Sequence, residues 1–247
     1  MGDPARADAA LLPSISWSTD ATDLRFGRHM EVQCSYVAAQ ENLMDLPHAP
    51  FLHSAADCDW RELPSEIRWP IELHVDARVL ARKTTFNASS PWPLHAELFG
   101  FDSETKVTET LAATFTAPGC YLLESENEVL GPKASCFKKY GYRGLHCTTP
   151  ITARSCHWWW SYTYDHGQHA IEQFLGFWDR ILKEDRDLLE SIQANIDRDT
   201  RDNLRQVLVS DDLAIGKLRR IIRNMLDAES PTQSKQIAQD LDSVAQA

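Results

Sequence analysis

The sequence predicts an α+β domain, an antiparallel sheet with helices packed on one face. Three observations carry this. From about residue 65 to 164 there are short runs of period-two apolar alternation, divided by turns containing Pro and Gly. From about residue 168 the apolar period lengthens to that of a helix. The change is from many strands to helices rather than a repeated strand–helix alternation, which argues against a parallel α/β sheet.

Taken in order, residues 1–24 are polar, carry Pro, Ser and Asp, and read as a lead-in. "ENLMDLPHAPFLH" (41–53) has a helix-like apolar pattern that Pro47 and Pro50 interrupt. "IELHVDARV" (71–79) alternates, with Ile71, Leu73, Val75, Ala77 and Val79 on one face and Glu72, His74, Asp76 and Arg78 on the other. "VTETLAATF" (107–115) alternates as well. "CYLLES" (120–125), "ASCFKKYGYRG" (134–144) and "RSCHWWWSYTY" (154–164) are further strand candidates. In the last, Trp159 faces away from Trp158 and Trp160. One side is a candidate lining for an aromatic pocket, and plain core packing is the simpler account of any single Trp.

Ile171, Phe174, Trp178, Ile181 or Leu182, Leu188 or Leu189, Ile192 and Ile196 form a helical apolar stripe. A last helix is expected near 204–227, and residues 230–247 form a polar tail.

Composition excludes several classes. The 247 residues are 43% hydrophobic and 25% charged, an ordinary globular balance with length enough for a sizeable core. A net charge of −11 and the lack of a basic stripe argue against nucleic-acid binding. No apolar run approaches the roughly 18 residues of a membrane span, and the N-terminus lacks a secretory pattern. Six cysteines (Cys34, Cys58, Cys120, Cys136, Cys147, Cys156) are scattered without a C-x-x-C, which favours free thiols in a reducing cytoplasm.

His48 and His53 stand five apart, with Asp45 three residues before the first. On a regular α-helix that spacing points two side chains about 140° apart, too far for one shared ion. Pro50 removes an N–H and clashes one turn back, so a local break there would swing His53 toward His48. Imidazole suits Fe, Zn, Cu and Ni. Asp185 interrupts the later stripe where the 3.6 period calls for an apolar residue. A buried carboxylate needs a partner, and a cation would be one. Pairing with Lys183 or Arg186 at the stripe's edge is the simpler alternative. Two histidines and one carboxylate make up the facial ligand set of non-haem Fe(II) oxygenases.

These residues resemble a known family, the catalytic domain of Rieske non-haem iron oxygenase α-subunits. "ENLMDLPHAPFLH" matches the family's N-L-x-D-x-x-H-x-x-x-x-H stretch. "KEDRDLLESIQ" (183–193) resembles its E-D-x-x-x-L-E-x-Q helix. "GLHCTTPITARSCHWWWSYTY" (144–164) and "SDDLAIGKLRRII" (210–222) are similar to the strand pair and closing helix of the vanillate O-demethylase-like branch. The resemblance implies a helix-grip sheet wrapped on a long helix, within one mononuclear iron domain over 25–229. It implies that His48, His53 and Asp185 bind Fe(II). Asp45 would be the bridging carboxylate through which electrons arrive, accepting the N–H of a liganding imidazole, and Asn42 would stand behind the ligands. The implied reaction is O₂-dependent hydroxylation or O/N-demethylation of a small aromatic substrate, in a trimer-based assembly.

The family's [2Fe–2S] domain uses C-x-H and C-x-x-H, and neither occurs here. His146 and His157 adjoin Cys147 and Cys156 at the wrong spacing. The expectation is a catalytic chain without that cluster, fed by a separate Rieske ferredoxin or reductase protein. Two alternatives stand beside it. "HVD" (74–76) has the H-x-D spacing of cupin-type iron sites, but it shares a face with Glu72 and Arg78 and reads as solvated. A non-catalytic helix-grip ligand-binding or scaffold subunit would have no use for the histidine pair and Asp185.

Overall fold

The computed structural model describes residues 8–15, 24–53, 72–132, 138–199, 208 and 212–229. Seven strands form one antiparallel sheet: β1 (Leu24–Val32), β2 (Glu72–Val75), β3 (Val79–Ser89), β4 (Lys106–Thr116), β5 (Cys120–Leu130), β6 (Lys139–Thr152) and β7 (Ser155–Tyr164). Their order across the sheet is β1-β7-β6-β5-β4-β3-β2. From β2 to β7 each strand pairs antiparallel with the next in sequence, through short turns except between β3 and β4 and between β5 and β6, where the connection is longer. Only β1 is recruited from afar, laid beside β7 with Val32 opposite Cys156.

Among the described residues five α-helices accompany the sheet: α1 (Tyr36–Met44), α2 (Ala49–Leu52), α3 (Pro93–Phe99), α4 (Ile171–Arg198) and α5 (Leu213–Glu229). α4 has 28 residues, about 42 Å at 1.5 Å per residue. It lies on the face that β7 turns toward the core. Trp178 stacks on Tyr162 and Phe174 on Tyr164, each pair with ring centroids 3.8 Å apart. Such stacked pairs add about 0.5–1.5 kcal/mol each to the area they bury. This is the helix-grip arrangement, a sheet curled against one long helix.

Two expectations need correction, and two elements, β1 and α3, have no counterpart among them. The alternation over 71–79 does not make a single strand, because Asp76 turns the chain back: Asp76 N–H donates to the Val79 carbonyl at 2.8 Å, and Val75 pairs with Leu80. Asp in a turn bonds nearby backbone, and that wins over the pattern. β1 was not foreseen, although Phe26, Met30 and Val32 alternate toward the core. α3 was missed because Pro91 and Pro93 mask so short a helix, which Gly100 ends at φ 66. The closing helix begins at Leu213; of its expected earlier residues only Leu208 and Asp212 are described, and Leu208 is not helical. The tail over 230–247 lies outside the described residues, as does most of the lead-in.

The α4 stripe holds with changes. Phe174, Phe177, Trp178, Ile181, Leu182 and Leu189 are buried, and Ile171, Leu188 and Ile192 are exposed. Asp185 lies inside the stripe, 3% exposed. The four described cysteines are free thiols. Among the described residues, no helix is long and apolar enough to cross a membrane.

Candidate metal centre

The segment 41–53 breaks at Asp45. α1 is capped by Ser35, whose Oγ accepts from Val37 N–H at 3.3 Å, and it runs out at Asp45 with ψ 70. The chain then makes a 3₁₀ turn over Leu46–His48 and one α-turn over Ala49–Leu52. The expected break at Pro50 does not occur. Pro47 and Pro50 each fall in the first residues of a turn, where a missing N–H costs nothing. The prolines therefore start new turns instead of breaking one.

Several contacts fix where this segment points. Arg82, buried on β3, donates from Nη1 to the Met44 carbonyl at 2.7 Å, satisfying an acceptor that the end of α1 leaves open. Arg219 of α5 grips the Glu41 carboxylate at 2.6 and 2.8 Å. The far half of α4 holds the approach to α1: Glu190 Oε1 accepts from Gln33 N–H at 3.0 Å and Gln193 Oε1 from Ser35 N–H at 3.3 Å.

His48, His53 and Asp185 converge. Asp185 Oδ1 lies 3.2 Å from His48 Nε2 and 3.4 Å from His53 Nε2, and the two Nε2 atoms are 3.3 Å apart. This is the group of three ligand atoms within 4.8 Å of one another found among the described residues. The other nitrogen of each ring is engaged. His53 Nδ1 donates to Glu184 Oε2 at 2.8 Å, and His48 Nδ1 donates to the main-chain carbonyl of Asp45. With the protons on Nδ1, each Nε2 turns a lone pair toward the same point.

Two lone pairs and a carboxylate oxygen repel one another unless a positive charge sits between them. Asp185 Oδ1 is buried and makes no hydrogen bond of its own. Burial by itself would raise the Asp185 carboxyl; positive charge at the positions of His48 and His53 outweighs it and holds the group well below the usual carboxylate range, the part a bound cation takes when both imidazoles are neutral. The three atoms form a nearly equilateral triangle whose corners stand about 1.9 Å from its centre, against N and O ligand bonds of about 2.0–2.2 Å. The site thus has the size, the charge and the tautomers for a divalent first-row metal, and its two-His, one-carboxylate composition is that of non-haem Fe(II).

One side of the triangle opens on a cavity. Leu43, Leu46, Leu111, Leu123, Ile181 and Leu182 give it an apolar wall, and Trp92, Tyr121, Tyr142, Tyr162 and Trp178 an aromatic one. Asn42 and His146 also line it. The Asn42 Nδ2 is buried with no partner. His146 is fully buried; its Nδ1 accepts from Trp158 Nε1–H and its Nε2–H donates to the Tyr162 hydroxyl, both at 3.0 Å. Burial pushes its pKa down to about 3 against a small opposing pull from Asp185, so the ring is neutral.

The tryptophan run alternates as expected, with Trp158 and Trp160 buried and Trp159 42% exposed. None of the three lines the cavity, whose tryptophans are Trp92 and Trp178. Sequence reasoning also passed over Glu184 and His146. Glu184 sits one residue before Asp185, and His146 follows the inward period of β6, so both signals were present. His74, the alternative ligand, stands exposed on β2.

A family model described as the vanillate O-demethylase oxygenase C-terminal domain matches residues 32–228. The chain belongs to that family. The oxygenase component of chloroacetanilide N-alkylformylase from Rhizorhabdus wittichii (strain DC-6 / KACC 16600) is 26% identical over 244 residues, covering 93% of this chain and 66% of that protein. The oxygenase component of dicamba O-demethylase from Stenotrophomonas maltophilia is 26% identical over 243 residues, covering 93% and 67%. This member of the vanillate O-demethylase oxygenase family thus spans about two thirds of the length of these curated relatives.

Solved structures share its fold. A crystal structure of dicamba monooxygenase bound to 3,6-dichlorosalicylic acid superposes with a TM-score of 0.74 at 23% identity, covering 93% of this chain and 67% of that one. The Pseudomonas putida CBB5 NdmA structure with caffeine gives 0.62 at 12% identity, covering 96% and 62%.

Proposed function

We propose that this domain is the catalytic part of a Rieske-type oxygenase that hydroxylates, or removes an O- or N-alkyl group from, a small aromatic or heteroaromatic substrate. The observation that carries the proposal is the convergence of His48 Nε2, His53 Nε2 and Asp185 Oδ1 with both Nδ1 protons already committed. The two curated relatives, described as an N-alkylformylase and an O-demethylase, support the reaction class. A solved structure of dicamba monooxygenase with non-haem iron supports the choice of metal.

His48, His53 and Asp185 would hold the ion. Bound there, ferrous iron supplies O₂ activation, using two electrons from an iron–sulfur centre held elsewhere. The remaining work falls to the chain. Glu184 and the Asp45 carbonyl keep both rings in the tautomer that presents Nε2. The aliphatic and aromatic walls exclude water and position a flat substrate. His146 gives its Nε2–H to Tyr162 Oη, which leaves the tyrosine proton free to donate at the cavity wall. The Asn42 amide offers a second neutral donor there. The Asp45 carboxylate, at the point where α1 ends, is the proposed entry for electrons, and docking of a neighbouring copy or a ferredoxin over it fits a trimer-based assembly.

Metal analysis tests the reading. The native chain, loaded anaerobically with Fe(II) and desalted, should retain about one iron, and the His48→Ala and Asp185→Ala variants almost none. Equal iron in native and variant chains would sink it. A chain that holds no metal but retains a small aromatic or lipid through purification would support the ligand-binding alternative.

A further inference from the structure

The face of the sheet turned away from α4 carries a second set of metal-binding side chains. Trp159 of β7 stands opposite His29 of β1, and His157, two residues earlier, stands opposite Glu31. All four side chains project from the outer face. The right-handed twist of the sheet draws diagonal neighbours together, and it brings His29 Nε2 to 3.0 Å from His157 Nδ1. The Glu31 carboxylate lies 3.8 Å from the same His157 nitrogen, on a largely exposed side chain free to swing. Trp159 stacks on the His29 ring with centroids 4.7 Å apart and tilts against the His157 ring at 5.0 Å. None of these residues belongs to the centre on the opposite face.

We propose that His29 and His157, with Glu31 as a third ligand, form a surface site for a divalent transition metal, Cu(II) or Ni(II) in preference to Zn(II). Metal–nitrogen bonds of about 2.0–2.1 Å to nitrogens 3.0 Å apart subtend roughly 95°. That is the angle of tetragonal coordination, while tetrahedral Zn(II) would ask for wider nitrogens. In the metal-free pair one nitrogen carries the proton that the other accepts, so binding moves that proton to the other nitrogen of its own ring and leaves both lone pairs for the ion.

The site would tie β1 to β7. β1 is the outermost strand of the sheet, and it runs directly into Ser35 and the helix that leads to His48. An ion gripping both strands stabilises the folded chain by mass action, because the unfolded chain does not hold the two rings together.

The test is a titration of the purified chain with Cu(II) or Ni(II) in three forms: native, His29→Ala and His157→Ala. Both variants are surface changes that leave the inner centre intact. The native chain should bind one more ion than either variant, with half-saturation at micromolar metal and quenching of the indole of Trp159 beside the site. Trp159→Phe should lose the quenching and keep the extra ion by calorimetry. Melting temperature should rise with added metal in the native chain more than in either variant. Equal stoichiometry in all three, or half-saturation only above about 100 μM, the weak end of the affinity scale, would overturn the site.

Discussion

His53 Nδ1 donates to Glu184 Oε2 across 2.8 Å, so the residue just before Asp185 on α4 governs the ring that Asp185 faces. One turn of one helix supplies both a ligand and the group that fixes another ligand's tautomer. Replacing Glu184 with Ala should leave the fold intact and lower iron affinity by about 10–100-fold, the usual effect of losing the partner of a liganding histidine. Competition with a chromophoric chelator measures it, and unchanged affinity would mean that the contact does not orient His53.

His48 is oriented differently. Its Nδ1 donates to the main-chain carbonyl of Asp45, where the resemblance had implied the carboxylate. A side-chain substitution cannot remove that carbonyl. Asp45→Ala should therefore keep about one iron per chain while losing turnover driven by an iron–sulfur electron donor. Iron loss in this variant would show that the carboxylate is needed to hold the centre; full donor-driven turnover would show that it carries no electrons.

Glu109 is buried on β4, accepting from Ser125 Oγ at 2.9 Å and from Trp92 Nε1–H at 3.2 Å. Burial raises its pKa from 4.5 to about 7, more than those two hydrogen bonds lower it. The folded chain thus holds this proton where the unfolded chain has released it. The stability contribution is complete below pH 4.5 and is lost as pH rises through 7. The loss amounts to roughly 3 kcal/mol at 1.36 kcal/mol per unit. Glu109→Gln should flatten this dependence, gaining stability relative to the native chain between pH 5 and pH 8. Parallel denaturant curves for the two chains over that range would refute the assignment.

Trp158 and Trp159 are neighbours with opposite fates. Trp158→Phe removes the donor to His146 Nδ1 and should cost about 1–3 kcal/mol, the cost of a buried acceptor left unpaired. Trp159→Phe, on the exposed face and with an aromatic ring kept against His29, should stay within about 0.5 kcal/mol of the native chain. Denaturant midpoints read both, and a larger loss at Trp159 would mean that the outer face is covered in solution.

The sequence by itself determined the class of fold and the three candidate ligands. Period-two runs over 107–164 became β4 to β7, because alternation on a half-buried sheet is a local property of the chain. The stripe from Phe174 to Leu189 became α4 for the same reason, and Asp185 stood out because a charge in an apolar stripe is visible without coordinates. Tertiary structure decided what depends on distant partners. β1 exists because β7 gives its backbone groups a ladder, and no local pattern announces that pairing. The break at Asp45 falls where it does because Arg82 and Arg219 clamp the end and flank of α1 from β3 and α5. Which nitrogen of His53 faces the centre follows from Glu184, a contact made only once α4 has crossed the sheet, while His48 is aimed by the Asp45 carbonyl three residues back in a turn whose position those clamps set. Local periodicity encodes which face a residue takes; the aim of a single lone pair is set by hydrogen bonds that folding alone brings into reach.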